Sequence, residues 1–349
     1  MGGLAVVLCP ACGEPTAAGD RFCEACGHAL VAAIDDGVAG EITAGPPAAP
    51  ACPSCGTEDP WLDGWCSVCG ARQPDPRDHL EVALPGMAAV TDRGRRHHRN
   101  EDAMALGQGP GFVAAVVCDG VSQSQRPHDA SQAAADAALG VLLATDPTAP
   151  DRVPRLAAAY RAARDAVVAI PYDATAALGP PSCTFLAALA TADRVTLAAL
   201  GDCRSYWVAG GEARQLTADH GWAAEAMAGG VGREEAMADP RAHAITRWVA
   251  ADADPAWEPD VTAFEPPGPG LLLLVSDGLW NYTPEPADLV AAIGDAGDSD
   301  EGADRLDLAR QLVAFANEAG GSDNITVVLV DLPVPPPPGP PPTVPEGAA

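Results

Sequence analysis

From about residue 82 to residue 332 the chain alternates apolar, strand-like runs with turn signals. Four runs stand out: FVAAVVC (residues 112–118), VTLAAL (195–200), LLLLVS (271–276) and ITVVLV (325–330). Alanine-rich stretches near 129–145 and 151–170, and a third stretch near 303–318, predict helices. The strands come in clusters and no regular strand–helix–strand alternation appears, which predicts an α+β fold with mostly antiparallel sheets. The first run leads into Asp119-Gly120, the second into Gly201-Asp202 and the third into Asp277-Gly278, while the fourth begins just after Asp323-Asn324. In an antiparallel sheet the end of one strand lies beside the start of its neighbour, so all four aspartates can reach one edge. A single Asp-Gly is ordinarily a turn. Four carboxylates at one sheet end repel one another unless cations sit between them, and oxygen-only ligands select hard ions such as Mg2+ or Mn2+.

Ahead of this body lies a repeated cysteine pattern. Cys9, Cys12, Cys23 and Cys26 recur, shifted by 43 residues, as Cys52, Cys55, Cys66 and Cys69. Each set reads C-x2-C, ten residues, C-x2-C, with glycine after every pair (Gly13, Gly27, Gly56, Gly70). Four thiolates suit tetrahedral Zn2+, and units this short need a metal to fold. The reading is two tandem structural zinc ribbons, over residues 1–31 and 51–72, separated by a linker over 32–50. A second linker covers 73–81.

Composition narrows the chemistry. The 349 residues carry 20 basic and 48 acidic side chains, a net charge of −28, and every basic residue is arginine. Without lysine there is no Schiff base, no P-loop lysine and no kinase strand lysine. The ribbon half holds only Arg21, Arg72 and Arg77 against 12 carboxylates up to residue 84. The expected partner of the ribbons is therefore protein and not nucleic acid. No apolar run approaches a membrane span and no signal segment opens the chain, so the expected setting is cytoplasmic, with no membrane partner. Against this acidic background, residues 91–102 (TDRGRRHHRNED) gather four arginines and two histidines. Beside a metal centre such a loop reads as an anion clamp for a phosphoryl group.

Taken together, these motifs resemble the metal-dependent protein serine/threonine phosphatases of type 2C. The resemblance rests on Thr91 to Asp102, Asp119-Gly120, Ser182-Cys183-Thr184, Leu200 to Arg204, Gln215 to His220, Thr246-Arg247, Ser276 to Leu279 and Ser322 to Thr326, in the family's order. It implies a four-layer αββα sandwich over residues 82–332 with a binuclear Mn2+ or Mg2+ centre. By matched position, Asp119 would bridge both metals, the Gly120 carbonyl would ligate one, and Asp277 and Asp323 would hold the other. Asp202 would help bind a looser third metal, and Glu101 and Asp102 would orient metal-bound water. The implied reaction is hydrolysis of phosphoserine and phosphothreonine in proteins by a water bridging the two metals, without a phospho-enzyme.

The chain departs from the family pattern in three places. His97 stands where the family has its phosphate-binding arginine, with Arg96 and Arg99 as flanking candidates. Val121 to Gln125 replaces a glycine-rich stretch, and Ser182-Cys183-Thr184 replaces Gly-Thr-Thr. Residues 219–245 match the family's variable flap. An alternative reading is a weak or silent phosphatase-like adaptor that binds phosphoproteins through Arg96 and Arg99. The tail 333–349, with nine prolines between Pro333 and Pro345, reads as disordered.

Overall fold

A computed structural model describes residues 73–144, 152–294 and 304–333, together with 51–52, 54–58 and 65–70. Segments 7–8, 15–16 and 61–62 are described by their backbone. The first cysteine set, the 32–50 linker and the proline-rich tail beyond Pro333 lie outside the described residues. The chain divides into two compact units, Met1–Gln73 and Pro74–Ala349.

In the first unit, β1 (Val7–Leu8) pairs antiparallel with β2 (Pro15–Thr16), and β3 (Trp61–Leu62) with β4 (Trp65–Cys66). One hairpin flanks the first C-x2-C of the first cysteine set. The other leads into the second C-x2-C of the second set.

The second unit opens with a short 3-10 turn at Pro76–Asp78. Then follow β5 (His79–Leu84), β6 (Met87–Asp92), β7 (Ala103–Gly109), β8 (Phe112–Cys118), α1 (Pro127–Ala144) and α2 (Arg152–Val168). The middle of the unit holds β9 (Ser182–Cys183), β10 (Phe185–Thr191), β11 (Val195–Leu200), β12 (Arg204–Ala209) and β13 (Glu212–Gln215). Next come α3 (Trp222–Ala228), α4 (Arg233–Ala238), β14 (Val249–Ala250), β15 (Asp260–Phe264) and β16 (Gly270–Val275). The last elements are α5 (Asp277–Trp280), α6 (Pro286–Ile293), α7 (Arg305–Ala319) and β17 (Ile325–Leu332).

Two antiparallel sheets dominate, a five-stranded one in the order β15-β11-β10-β8-β7 and a six-stranded one in the order β13-β12-β16-β17-β6-β5. They face each other across a core of Val113, Ala115, Val117, Leu186 and Leu197 from one sheet and Met87, Ala89, Leu272, Leu274 and Val328 from the other. The outer face of the five-stranded sheet (Ala114, Val116, Cys118) packs on α1 and α2, and that of the six-stranded sheet (Leu271, Leu273, Val327, Leu329) packs on α5, α6 and α7. The result is the expected four-layer αββα sandwich. Central strands are apolar on both faces because both faces are covered, which is why these runs are continuous and not alternating.

The three longest helices fall where the two alanine-rich stretches and the third stretch near 303–318 put them. Four shorter helices escape that pattern. α3 and α4 lie inside the flap region, α5 is a single turn after β16, and the eight residues of α6 are too few to display a period. The stretch expected as a linker over 73–81 is partly body: His79–Leu84 is an edge strand paired to β6, from His79↔Asp92 to Leu84↔Met87. Its residues are half-exposed, so no buried face marks it in the sequence.

The two-sided burial sets a mutational contrast. Leu272→Ala, fully buried between the sheets, is expected to destabilise the unit by about 3 kcal/mol. Leu80→Ala on the exposed edge strand is expected to cost under about 1 kcal/mol. Urea denaturation of both variants reads the difference.

Candidate active site

Strand register brings the carboxylates together. Ala103 at the start of β7 pairs with Cys118 at the end of β8, so Asp102 and Asp119 lie side by side just past the paired ends. β11, parallel to β8 because both pair antiparallel with β10, delivers Gly201-Asp202 to the same end. In the other sheet β16 runs out into Asp277 where β17 begins after Asp323-Asn324.

Asp102 ties the two sheets together. Its carboxylate accepts hydrogen bonds from Ser276 Oγ and Thr326 Oγ1, both at 2.7 Å. Since the Thr326 hydroxyl donates to Asp102, it accepts from Thr91 Oγ1 at 2.7 Å, which in turn accepts from Asn100 Nδ2 at 2.8 Å. The Asp102 amide donates back to Asn100 Oδ1 at 3.2 Å. The other Asp102 oxygen, Oδ1, is buried without a partner, and so is Asp277 Oδ1. The second Asp277 oxygen accepts from Asn281 Nδ2 at 3.1 Å. Unpaired buried carboxylate oxygens are costly, and a cation is the partner that satisfies them. The donor set is therefore right for a hard metal ion.

Electrostatics agree. Burial pushes the Asp102 carboxyl up to about 7, against hydrogen bonds from Thr326 and Ser276 that lower it. Burial and the neighbouring Asp219 push Asp202 to about 7 as well. Asp119 is held well above the usual carboxylate range, first by burial and then by the charges of Asp102, Asp277, Asp202 and Asp323. Asp277 is raised by burial and then by Asp202, Asp323 and Asp102. Among the described residues, no three carboxylates bring ligand atoms within 4.8 Å of one another, a span that only the cysteine cluster below meets.

Asp119 is fixed through its backbone. Its amide donates to Thr184 Oγ1 at 2.9 Å and its carbonyl accepts from the Thr184 amide at 2.7 Å. Thr184 thus does the positioning in the Ser182-Cys183-Thr184 motif, while Cys183 is fully buried. Cys118 and Cys203 are buried thiols pushed up by that burial, which leaves them unreactive. The Glu101 carbonyl accepts from the Gly120 amide at 3.1 Å, and its carboxylate accepts from Ser122 Oγ. A serine from the atypical stretch after Gly120 therefore orients Glu101.

The basic loop rests on two supports. Asn324, buried, donates from Nδ2 to the carbonyls of Arg93 (2.8 Å) and Arg99 (2.9 Å) and accepts from the Glu101 amide at 2.8 Å. Gly94 has φ 73°, and a Cβ there would run into the Asp323 carbonyl, so the loop closes onto β17 only with glycine at this place. His97 Nε2 lies 3.2 Å from Asp323 Oδ1. Arg96 is exposed, with no hydrogen bond or ion pair among the described residues. Arg99 is turned elsewhere, 3.0 Å from Asp75 and 3.9 Å from Asp78.

Asp202 lies beside a cleft of about 320 Å3 under the flap, lined by Arg204, Asp219, Met227, His243 and Trp280. Arg204 grips Asp219 with bonds of 2.7 to 3.1 Å and stacks 3.7 Å above the Trp280 ring. Trp280 Nε1 donates to the Asp202 carbonyl at 2.9 Å. Composition and spacing point to the aspartates but not to Ser276, Thr326, Thr184, Ser122 or Asn324. Apart from Ser122, each sits inside a quoted motif, one or two residues from an acidic one or hydrogen-bonded to it across strands. That adjacency was the available signal.

In the first unit, Cys52, Cys55, Cys66 and Cys69 bring their sulfurs within 4.8 Å of one another. Cys52 and Cys69 sulfurs are 3.6 Å apart, and those of Cys55 and Cys66 3.7 Å. A tetrahedron with Zn–S bonds of about 2.3 Å puts sulfurs about 3.8 Å apart, whereas a disulfide needs about 2.05 Å. Gly56 and Gly70, at φ 71° and 72°, close matching turns whose amides donate to the Cys52 and Cys66 carbonyls at 2.8 and 2.9 Å. Hydrogen bonds from Thr57 lower the Cys55 thiol to about 6. Cys66 is also lowered: burial opposes this, but the Cys69 and Val68 amides outweigh it. Both favour the thiolate that a metal binds.

Two stacked antiparallel sheets between helices, with buried carboxylates at one end and a basic loop beside them, define a metal-dependent phosphatase of the sandwich type. Residues 91–312 match the Protein phosphatase 2C family, and residues 9–72 match Double zinc ribbon. The chain is 29% identical over 250 residues to the serine/threonine phosphatase stp of Listeria innocua, spanning 69% of this chain and 93% of that protein. It is similar in structure to the Streptococcus agalactiae serine/threonine phosphatase, with TM-score 0.62, 25% identity and coverage of 70% of this chain and 98% of that one. The catalytic domain of the serine/threonine protein phosphatase PstP, solved with two manganese ions, matches with TM-score 0.55 and 28% identity over 70% of this chain and 97% of that one. The chain belongs to the protein phosphatase 2C family and is a serine/threonine phosphatase of that type. The adaptor alternative is set aside. No helix among the described residues is long and apolar enough to cross a membrane.

The raised carboxyls make stability depend on pH. Protonation is favoured in the folded state, so their contribution is fully present below the unfolded carboxylate range near 4 and is lost as pH rises through about 7. In metal-free buffer the melting temperature is expected to fall from pH 5 to pH 8, and Asp102→Asn to flatten that slope. An Asp102→Asn slope equal to wild type would show that the cluster is not its source.

Proposed function

We propose that this phosphatase hydrolyses phosphoserine and phosphothreonine in proteins at a binuclear centre for Mn2+ or Mg2+, and that its ribbons, each holding one structural Zn2+, bind protein. The observation that carries the reading is the pair of unpartnered buried oxygens on Asp102 and Asp277, set among mutually repelling carboxylates. Asp119 would help hold both cations, the Gly120 carbonyl would serve one and Asp277 and Asp323 the other, and Asp202 would serve a looser third. When bound, such cations would supply Lewis acidity, lowering the pKa of water and offsetting the charge on the phosphoryl oxygens.

The chain's own groups do the rest. Ser276 and Thr326 hold one Asp102 oxygen and so aim the other inward. Ser122 orients Glu101, and the two acidic side chains can then accept protons from water. Arg96, free of acidic partners among the described residues, gives the phosphoryl group a cation to meet, with His97 beside it. Histidine is a weaker and pH-sensitive donor compared with the family's arginine. The cleft between Trp280 and the flap is where residues around the phosphorylated side chain would lie. The ribbons are acidic, and Trp65 and Val68 of the second ribbon are exposed around its last cysteine pair, which suits a protein partner. Thiolates poised for zinc fit a reducing, cytoplasmic setting.

Turnover of p-nitrophenyl phosphate and a phosphothreonine peptide with Mn2+ is the direct test. Asp119→Ala and Asp277→Asn are expected to lower kcat/KM by roughly three orders of magnitude. Thr326→Val should lower it by about 10- to 100-fold, as for a group that orients a metal-site carboxylate. Wild type no faster than Asp119→Ala would overturn the reading. Metal analysis of the dialysed chain is expected to find two zinc ions per chain, a count that Cys55→Ser reduces to one.

A further inference from the structure

We infer that the segment Asp75–Asp78, which opens the phosphatase unit six residues after Cys69, belongs to the machinery that sets the geometry of the basic loop, with Asp78 as a positioning residue. The inference rests on the phosphatase reading only for what the loop binds.

The loop leaves β6 at Asp92 and returns at Glu101, and Asn324 grips it from one side. The Asp75–Asp78 segment grips it from the other. At the departing end the Asp78 carbonyl accepts from the Arg93 amide at 2.8 Å. At the returning end Asp78 Oδ1 accepts from the Asn100 amide at 3.3 Å, and the Arg77 carbonyl accepts from Asn100 Nδ2 at 3.1 Å. Between them Arg99 lies 3.0 Å from Asp75 Oδ2. Every donor the segment meets therefore lies in the stretch that carries Arg96, His97 and Glu101.

The segment is shaped for this. The Asp75 side chain accepts from the Arg77 amide at 3.0 Å while Asp78 Oδ2 accepts from the Asp75 amide at 3.1 Å, a reciprocal cap that locks the single turn. Pro76 restricts the backbone at its first position. The two side chains are largely covered, with 19% and 14% of their surface exposed. Arg77 lies 3.8 Å from Asp129 in the first turn of α1, which anchors the turn to the body. One Asp78 carboxylate thus closes its own turn with Oδ2 and holds the loop with Oδ1. Glu101 is held separately by Asn324, and Asp102 by Ser276 and Thr326, so loosening Asn100 loosens chiefly the stretch that carries Arg96 and His97.

Hydrogen exchange over residues 93–101 in the full-length chain, followed by steady-state kinetics on the phosphothreonine peptide with Mn2+, tests this. Asp78→Ala is expected to speed exchange there by about tenfold and to raise KM by about tenfold with kcat changed less than about twofold. Asp78→Asn, which keeps an oxygen for the Asn100 amide, should restore most of both. Arg310→Ala breaks the ion pair to Glu81 on the neighbouring edge strand and should change neither. If Asp78→Ala does not fold, Asp75→Ala, which removes the partner of Arg99 and the cap of Arg77, is expected to speed exchange over the same residues. Unchanged exchange in a folded Asp78→Ala or Asp75→Ala overturns the inference whatever the turnover. Absence of metal-dependent turnover in wild type overturns the proposed reaction and leaves the exchange result to decide this inference.

Discussion

A single buried carboxylate, Asp102, holds the two sheets in the relation that the active site needs. Its side chain starts at the head of one sheet and accepts hydroxyl hydrogen bonds from Ser276 and Thr326 at the head of the other. Such bonds to a charged acceptor are stronger than neutral ones, and in a dry interior they are costly to break. Its second oxygen is buried with nothing to bond, in the neighbourhood of Asp119 and Asp277. The same contact that aligns the sheets therefore concentrates negative charge beyond what the folded chain can neutralise by itself. Stability and function oppose each other here, and under the proposed function a bound cation would reconcile them.

The layers of this fold were legible because burial on both faces leaves long apolar runs, and the three long helices because alanine is both a good helix former and small enough for close packing on a sheet. The Asp-Gly and Asp-Asn steps at the strand ends were legible for the same reason: a charge ending an apolar run must meet either solvent or a partner. What stayed hidden was relational. Ser276 and Thr326 are ordinary hydroxyls until pairing places them opposite Asp102, and Ser122 lies in a stretch that matches no expected pattern. The edge strand His79–Leu84 was hidden because a half-exposed strand carries no clear alternation. Arg99 was expected at the phosphate because it flanks His97, which stands where the family has its arginine. Asp75 and Asp78, six and nine residues after Cys69, compete for it, and only the fold reveals that competition.

With 48 acidic and 20 basic residues, unpaired positive charge is the scarce quantity in this chain. Most arginines described are committed: Arg204 to Asp219, Arg305 to Asp331, Arg310 to Glu81 and Asp307. Within the basic loop the distribution is uneven, with Arg99 paired to Asp75 and Arg93, Arg95 and Arg96 without an acidic partner among the described residues. In a field this negative, an open guanidinium is a local exception to the prevailing sign of charge.

The carboxylates at the strand ends also matter before any chemistry. Strands that are apolar on both faces carry little information about register, since sliding one residue past its neighbour still pairs apolar with apolar. The acidic terminators supply what the runs lack. A slip of one residue along β8 would draw Asp119 into the buried place of Cys118 beneath the helices, and one along β16 would draw Asp277 into the buried place of Ser276. The charges that make the folded site unstable without a cation thus act during folding as end-stops, confining each strand to the one alignment in which its aspartate stays at the open end.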